Sequence, residues 1–178
     1  MVYLFLAPGF EEIEALAVVD ILRRAEVEVT TVGVGGTLIT GSHGITVAAD
    51  VSDNHLHMTD IEMVVLPGGL PGTTNLGKSS TVRSAVEAAA VKGAWLAAIC
   101  AAPSIFGHWS LLKGRRATCY PGYDRELSGA TYTGEPVTVD GQIVTGKGAG
   151  TAVAFALQLV ECLVDAETAD RIRRSIQC

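Results

Sequence analysis

No stretch of this sequence approaches the ~20 apolar residues a membrane-spanning helix needs, although 48% of its 178 residues are hydrophobic and the mean hydropathy is +0.35. A membrane protein is therefore not expected. Basic residues are in the minority, 13 Lys and Arg against 19 Asp and Glu for a formal net charge of -6, and they form no stripe. That leaves no electrostatic footprint for nucleic acid. The four cysteines, Cys100, Cys119, Cys162 and Cys178, show no CxxC spacing, so neither a zinc knuckle nor a disulfide framework is indicated. Residues 1–6 lack a basic leader and run straight into an apolar strand pattern, which reads as a first strand and not a signal peptide. A reducing, cytoplasmic setting is expected for such thiols. Repeats, linkers and low-complexity segments are also missing, so residues 1–178 are read as one domain with a substantial core.

What is present is alternation. Short apolar runs at residues 2–6, 27–34, 61–66 and 95–99 read as buried strands. Helical spacing occupies 11–24, 82–91, 105–112, 151–163 and 167–176. A short strand and turn is expected at 117–121. Two hairpins are signalled, one at 38–47 around Gly41-Ser42-His43-Gly44 and one at 136–144 around Asp140-Gly141. Strands alternating with helices predict an α/β fold, a doubly wound and mostly parallel sheet between helices, with a small β-hairpin. Its site should lie at the carboxyl ends of the strands.

The strand at 95–99 stops on Cys100, and Ala101-Ala102-Pro103 opens a helix, for which Pro suits the first turn. Cys100 is thereby placed on a sharp strand-to-helix turn, the geometry of a nucleophile elbow; the alternative is an inert core cysteine. An elbow predicts φ > 0 at Cys100 and at no other cysteine, and a helix N-terminus behind the sulfur predicts a lowered thiol pKa. Gly68 and Gly69 follow the strand at 61–66, and Gly148 and Gly150 precede the helix at 151. These glycines either bring backbone N–H groups to a substrate oxygen or simply make turns. Three carboxylates open the first helix. Glu11 and Glu12 are expected to face water and complement the helix dipole. Glu14 falls at the edge of the apolar stripe, where burial would favour the protonated form and a hydrogen bond to a thiolate. The same helix carries Ala15, Ala17, Val18 and Val19, more apolar surface than one monomer face is expected to cover.

Four segments together carry a resemblance: Ala7-Pro8-Gly9-Phe10-Glu11-Glu12-Ile13-Glu14, Val64-Val65-Leu66-Pro67-Gly68-Gly69, Ala97-Ala98-Ile99-Cys100-Ala101-Ala102-Pro103 and Thr145-Gly146-Lys147-Gly148-Ala149-Gly150-Thr151. In this order they resemble the ThiJ/PfpI superfamily over essentially the whole chain, and most closely the branch containing the parkinsonism-associated protein deglycase and its bacterial relatives. The resemblance implies a flavodoxin-like sandwich, usually a homodimer, with Cys100 the reactive thiol and Glu14 its hydrogen-bonding carboxyl group. It implies oxyanion-hole N–H groups at Gly69 and Ala101, within a pocket that includes Gly68, Leu70, Tyr120, Lys147 and Gly148. Arg24 and His43 would stand on the dimer side of that pocket. Ala101 replaces the histidine that follows the nucleophile in peptidase-like members, which disfavours proteolysis. Tyr120 stands where the deglycase has histidine, His43 where it has a pocket arginine, and Lys147 where relatives have arginine or glutamine.

Two functions fit this pattern. In one, Cys100 attacks a small 2-oxoaldehyde such as methylglyoxal or glyoxal, or an early glycation adduct, without cofactor or metal. In the other, Cys100 is a peroxide sensor, forming a sulfinate stabilised by Glu14 in a stress-responsive chaperone. His55 and His57 are read as a solvated loop and His108 as packing or surface. Residues 146–151 lack the GK[ST] order of a phosphate-binding loop, so phosphotransfer is discounted. Cys119 is expected to be a partly exposed second thiol, and Cys178 an exposed one.

Overall fold

β1 (Val2–Leu6) sends alternate side chains to opposite faces of a sheet, as the two-residue period of a strand requires. Val2, Leu4 and Leu6 join one core of 24 buried residues, while Tyr3 and Phe5 join a second of 22. Two cores of nearly equal size mean that the sheet is covered on both faces. A continuous apolar run, and not an alternating one, is what such a strand needs. The structure is a computed structural model that describes all of residues 1–178.

The chain continues through α1 (Glu12–Arg24), β2 (Val29–Gly33), a hairpin of β3 (Leu38–Thr40) and β4 (Thr46–Ala48), the short β5 (Val51–Ser52), and β6 (Met63–Leu66). Next come α2 (Gly72–Lys78), α3 (Ser80–Lys92), β7 (Trp95–Ile99) and α4 (Pro103–His108). The rest comprises β8 (Arg116–Ala117), β9 (Thr131–Tyr132), β10 (Val137–Asp140), β11 (Ile143–Gly146), α5 (Ala152–Leu163) and α6 (Ala166–Ser175). The main sheet runs β10-β11-β7-β6-β1-β2-β5. All its neighbours are parallel except the β10–β11 edge pair. This is the expected α/β fold, a mostly parallel sheet between helices with a separate small hairpin. No helix is long and apolar enough to cross a membrane.

From β1 the chain moves outward to β2, then returns to place β6 on the other side of β1. The order of winding therefore reverses between β1 and β6. The crevice at the carboxyl ends of these strands is where such sheets bind ligands. α1 leaves one wall of that crevice, the Pro67-Gly68-Gly69 segment leaves the other, and β7 delivers Cys100 beside them.

Several boundaries differ from the sequence reading. The elbow helix ends at His108 and not at 112, because Ser110 takes φ 60° and the chain turns there. The strand expected at 117–121 pairs only at Arg116 and Ala117. α2 was not expected at all, since Gly72 and Gly77 in a seven-residue stretch are poor helix formers. Ala15 and Val18 are fully buried within the single chain, facing the core that α1 and α5 build. The apolar side chains that α1 leaves exposed are instead Ile13 and Leu16.

Candidate active site

Glu14 lies on the buried stripe of α1, in register with Ala15, Val18, Ile21 and Leu22. That three-to-four spacing turns one helix face to the core and carries a carboxyl group inward with it, only 1% exposed. Its Oε2 accepts a 2.8 Å hydrogen bond from the Gly68 N–H. Its Oε1 is buried with no partner at hydrogen-bonding geometry. The Cys100 side chain faces this carboxyl group across Gly68, where a single added Cβ would touch both.

Cys100 is held at φ 64°, as expected of an elbow, while Cys119, Cys162 and Cys178 are not in the left-handed region. The turn is over-determined. The Cys100 N–H donates to Gly146 O at 2.9 Å, and Cys100 O accepts from the Tyr120 N–H at 2.8 Å. β11 and the Tyr120 segment thus clamp the peptide on both sides. Such strain costs about 1–3 kcal/mol and persists only where the surroundings enforce it. The nearby backbone N–H groups of Ala101 and Gly69 favour the thiolate over the thiol. The cysteine is half-buried.

Glycine is required on the facing wall. A Cβ on Gly68 would lie 2.6 Å from both Cys100 Cβ and Glu14 Oε2. Gly69, at φ 90°, would press a Cβ to 2.4 Å from Glu11 N. Gly68→Ala is therefore expected to destabilise the protein by about 1–3 kcal/mol, a fall in Tm of about 2–4 °C per kcal/mol for a chain of this size. It should also slow Cys100 alkylation. A thermal melt paired with a thiol-alkylation assay checks both effects.

Burial drives the Glu14 pKa from 4.5 to about 7, and the nearby Glu11 charge pushes the same way; the adjacent Cys100 thiol and the Gly68 N–H pull against it. The Cys100 thiol is not lowered as the sequence suggested. Burial and the Glu14 carboxylate push it up to about 12, against the Ala101 and Gly69 N–H groups. The reason is physical: a second buried negative charge beside the first is disfavoured, and α4 is a six-residue helix whose dipole is small. These two values belong to the pair. Between them the pair carries one negative charge and one proton, and the thiolate form is reached when that proton sits on Glu14. The unpartnered Oε1 is an oxygen available to hold it.

The other expected site residues divide. Gly148 stands beside Tyr120, whose ring would be 3.4 Å from a Cβ there. Lys147 Nζ donates to Gly134 O at 3.1 Å, and its N–H to Pro136 O. Leu70 is 55% exposed and lines a separate cleft of about 530 Å³ with Thr73, Ser104 and His108. Arg24 pairs with Asp20 at 2.7 Å at the far end of α1, ten residues from Glu14 and hence about 15 Å along the axis; one chain alone does not bring it to Cys100. Cys119 is fully buried, contrary to expectation, and burial raises its pKa to about 11 with help from Asp124. Cys178 is exposed, as are His55 and His57. His108 is a surface residue paired with Glu126 at 2.6 Å.

Glu12 corrects the sequence reading most sharply. It is 5% exposed and not solvated. Its carboxylate accepts from the His43 N–H at 2.8 Å and meets His43 Nδ1 at 2.9 Å. Burial alone would raise its pKa, but the bonds from His43 and Ile45 prevail and hold it at about 2. In turn Glu12 and Glu11 raise the His43 pKa. Glu12 is the peg on which the β3–β4 hairpin hangs, and a Cβ at Gly41 would run into it at 2.4 Å.

A parallel α/β sheet with a strained cysteine elbow and a buried carboxyl partner at its switch point defines a class of small cysteine-centred proteins. The family profile described as the DJ-1/PfpI family matches residues 1–162, and the chain belongs to that family. It is 34% identical over 174 residues to Protein dj-1beta of Drosophila melanogaster, covering 96% of this chain and 93% of that one. It is 38% identical over 166 residues to Protein DJ-1 homolog B of Arabidopsis thaliana, covering 92% of this chain but only 38% of that protein. The chain thus spans less than half the length of the Arabidopsis relatives it matches. The crystal structure of a mutant DJ-1 superfamily protein from Salmonella typhimurium superposes with a TM-score of 0.94 at 33% identity, covering 99% of this chain and 97% of that one. A more distant relative, 27% identical over 93% of this chain and 89% of its own, is named glutathione-independent glyoxalase DJR-1.2 in Caenorhabditis elegans.

Proposed function

We propose that this protein is a cofactor-independent glyoxalase or deglycase-type enzyme that converts small 2-oxoaldehydes, or their early glycation adducts, to 2-hydroxy acids. The observation that carries the reading is the strained, half-buried Cys100 set against the buried Glu14 across Gly68, supported by the relative named as a glyoxalase. The Cys100 thiolate adds to the aldehyde carbon, forming the C–S bond of a hemithioacetal as the carbonyl π pair moves to the aldehyde oxygen, which takes the proton held by Glu14. The Gly69 and Ala101 N–H groups stabilise the oxygen as its charge develops. Glu14, now a carboxylate, removes the hydrogen from the former aldehyde carbon as a proton and returns it to the adjacent carbonyl carbon, while the hydroxyl proton passes from the first oxygen to the second. The electron pair moves with this shift, so one carbon is oxidised and its neighbour reduced without an external redox partner. Water then cleaves the resulting thioester and releases the 2-hydroxy acid and the thiol. Gly148 and the Tyr120 ring form the wall that a small substrate would meet.

Incubation of the purified protein with methylglyoxal, followed by detection of lactate, tests the reading. Lactate formation that is lost on Cys100 replacement is the expected result. No turnover, together with selective peroxide oxidation of Cys100, would favour the sensor and chaperone reading instead.

The same family suggests a homodimer. Ile13 and Leu16 on α1 are 58% and 40% exposed, and Leu38 and Ile45 on the adjoining hairpin 73% and 54%. Covering them with a second copy would close one side of the Cys100 crevice and could bring the partner's Arg24 end of α1 toward it. Sedimentation at micromolar concentration is expected to give a dimer of about twice 18.5 kDa; a monomer there would remove this assembly.

A further inference from the structure

Glu11, Glu12 and His43 meet where the first turn of α1 touches the β3–β4 hairpin. His43 Nδ1 lies 2.9 Å from Glu12 Oε2 and 3.3 Å from Glu11 Oε2. The two carboxylate side chains are only 6% and 14% exposed, whereas the imidazole is 68% exposed. His43 is the only cationic partner that either carboxylate has. With a neutral imidazole the cluster carries two negative charges, and with an imidazolium it still carries one. Two adjacent, largely buried carboxylates, that of Glu12 already held as an anion by the His43 and Ile45 N–H groups, thus converge on one exposed imidazole nitrogen.

The geometry points to a divalent metal site here, of the kind that takes Zn²⁺, with Glu11, Glu12 and His43 as its protein ligands. The sequence alone gave no reason to expect a metal here, because His43 is 31 positions from Glu12 and only the hairpin brings them together. Zinc holds nitrogen and carboxylate oxygen at about 2.0–2.2 Å, and angles of about 90–110° then place neighbouring donors about 2.9–3.5 Å apart. Both separations at His43 Nδ1 fall in that range. The donor atoms of all three residues lie within 4.8 Å of one another.

The cluster is also oriented in advance. Glu12 Oε1 accepts from the His43 and Ile45 N–H groups at 2.8 and 3.4 Å, which turns Oε2 toward the imidazole. The Ser42 hydroxyl is 3.2 Å from Glu11 Oε2 and 3.3 Å from Glu12 Oε2. Outer bonds of this kind fix the ligands before the ion arrives. Binding replaces the Nδ1 proton with the ion and leaves the exposed side of the coordination shell to water. Mixed imidazole and carboxylate donors suit Zn²⁺ better than Ca²⁺ or Mg²⁺. This inference stands independently of the reaction at Cys100.

Calorimetric titration of ZnCl₂ into the reduced 178-residue protein tests it. One zinc per chain is expected. His43→Arg keeps a cation beside Glu12 but removes the ligand, and Glu11→Gln keeps the shape but removes a charged donor. Each should weaken binding by at least about 100-fold. Saturating zinc should raise the Tm of the unaltered protein and leave that of His43→Arg unmoved, since an ion stabilises only the state that binds it. Both substitutions leave Glu12, the residue that holds the hairpin, in place, and circular dichroism confirms the fold. Zinc binding that survives both substitutions would locate the ion on a thiol and overturn the site. Absence of binding at millimolar zinc would overturn it too.

Discussion

Cys100→Ser is expected to lower methylglyoxal turnover by more than about 10³-fold, with little change in Tm. The size of the effect follows from the role: a hydroxyl with a far higher pKa cannot supply the nucleophile, and loss of the bond-forming atom removes the whole covalent route. The smallness of the stability change follows from geometry. Serine is close to cysteine in volume, the elbow is held by backbone bonds to Gly146 and Tyr120, and those bonds do not involve the sulfur. A serine hydroxyl can also donate to the Glu14 oxygen that has no partner. Turnover and a thermal melt on the same preparation separate the two quantities. Turnover retained within tenfold would show that Cys100 is not the nucleophile. The same preparation, alkylated with a thiol reagent and resolved peptide by peptide, should show Cys119 protected, since it is wholly buried.

The parts of this site that could be read in the sequence are those that depend on local pattern. β7 (Trp95–Ile99) was legible because an unbroken apolar run must be a strand covered on both faces. The elbow was legible because small residues and a proline follow it directly. Glu14 was legible because a three-to-four helical period fixes which side of α1 it occupies. Glu12 was misread by the same reasoning. In an isolated helix its position faces outward, and only the hairpin arriving from residues 38–48 covers it. Nothing within ten residues of Glu12 signals that contact. His43 was singled out as a departure from relatives, but its contacts with Glu11 and Glu12 depend on the same tertiary docking. The thiol pKa failed for a related reason. Sequence suggests which donors surround a sulfur, whereas the cost of burying its charge beside the Glu14 carboxylate is set by packing around both.

Replacing Glu14 by glutamine should remove turnover and yet stabilise the protein above neutral pH. The native carboxyl group has its pKa raised by burial from 4.5 to about 7. In the unfolded chain it ionises near its ordinary value, so between those two pH values the folded state holds a proton that the unfolded state has lost. Stability on this account is fully present below about pH 4.5 and falls as pH rises through about 7, by on the order of 3 kcal/mol in all. Glutamine carries no such charge. Its carbonyl oxygen can take the Gly68 N–H that Oε2 accepts, and its amide can face Cys100 from the position of Oε1. The Tm of Glu14→Gln should therefore exceed that of the unaltered protein at pH 8, and the gap should close toward pH 4.5. Turnover should fall about 10²–10⁴-fold, since an amide neither accepts nor returns the migrating proton. Cys100 alkylation should rise with pH through about 7 in the unaltered protein, as the pair loses its first proton. In Glu14→Gln that step should vanish, leaving a single rise at the thiol's own higher pKa. Melts across pH and an alkylation profile measure these independently. A Tm gap that is flat with pH, together with an unchanged alkylation profile, would mean that Glu14 and Cys100 do not share a proton.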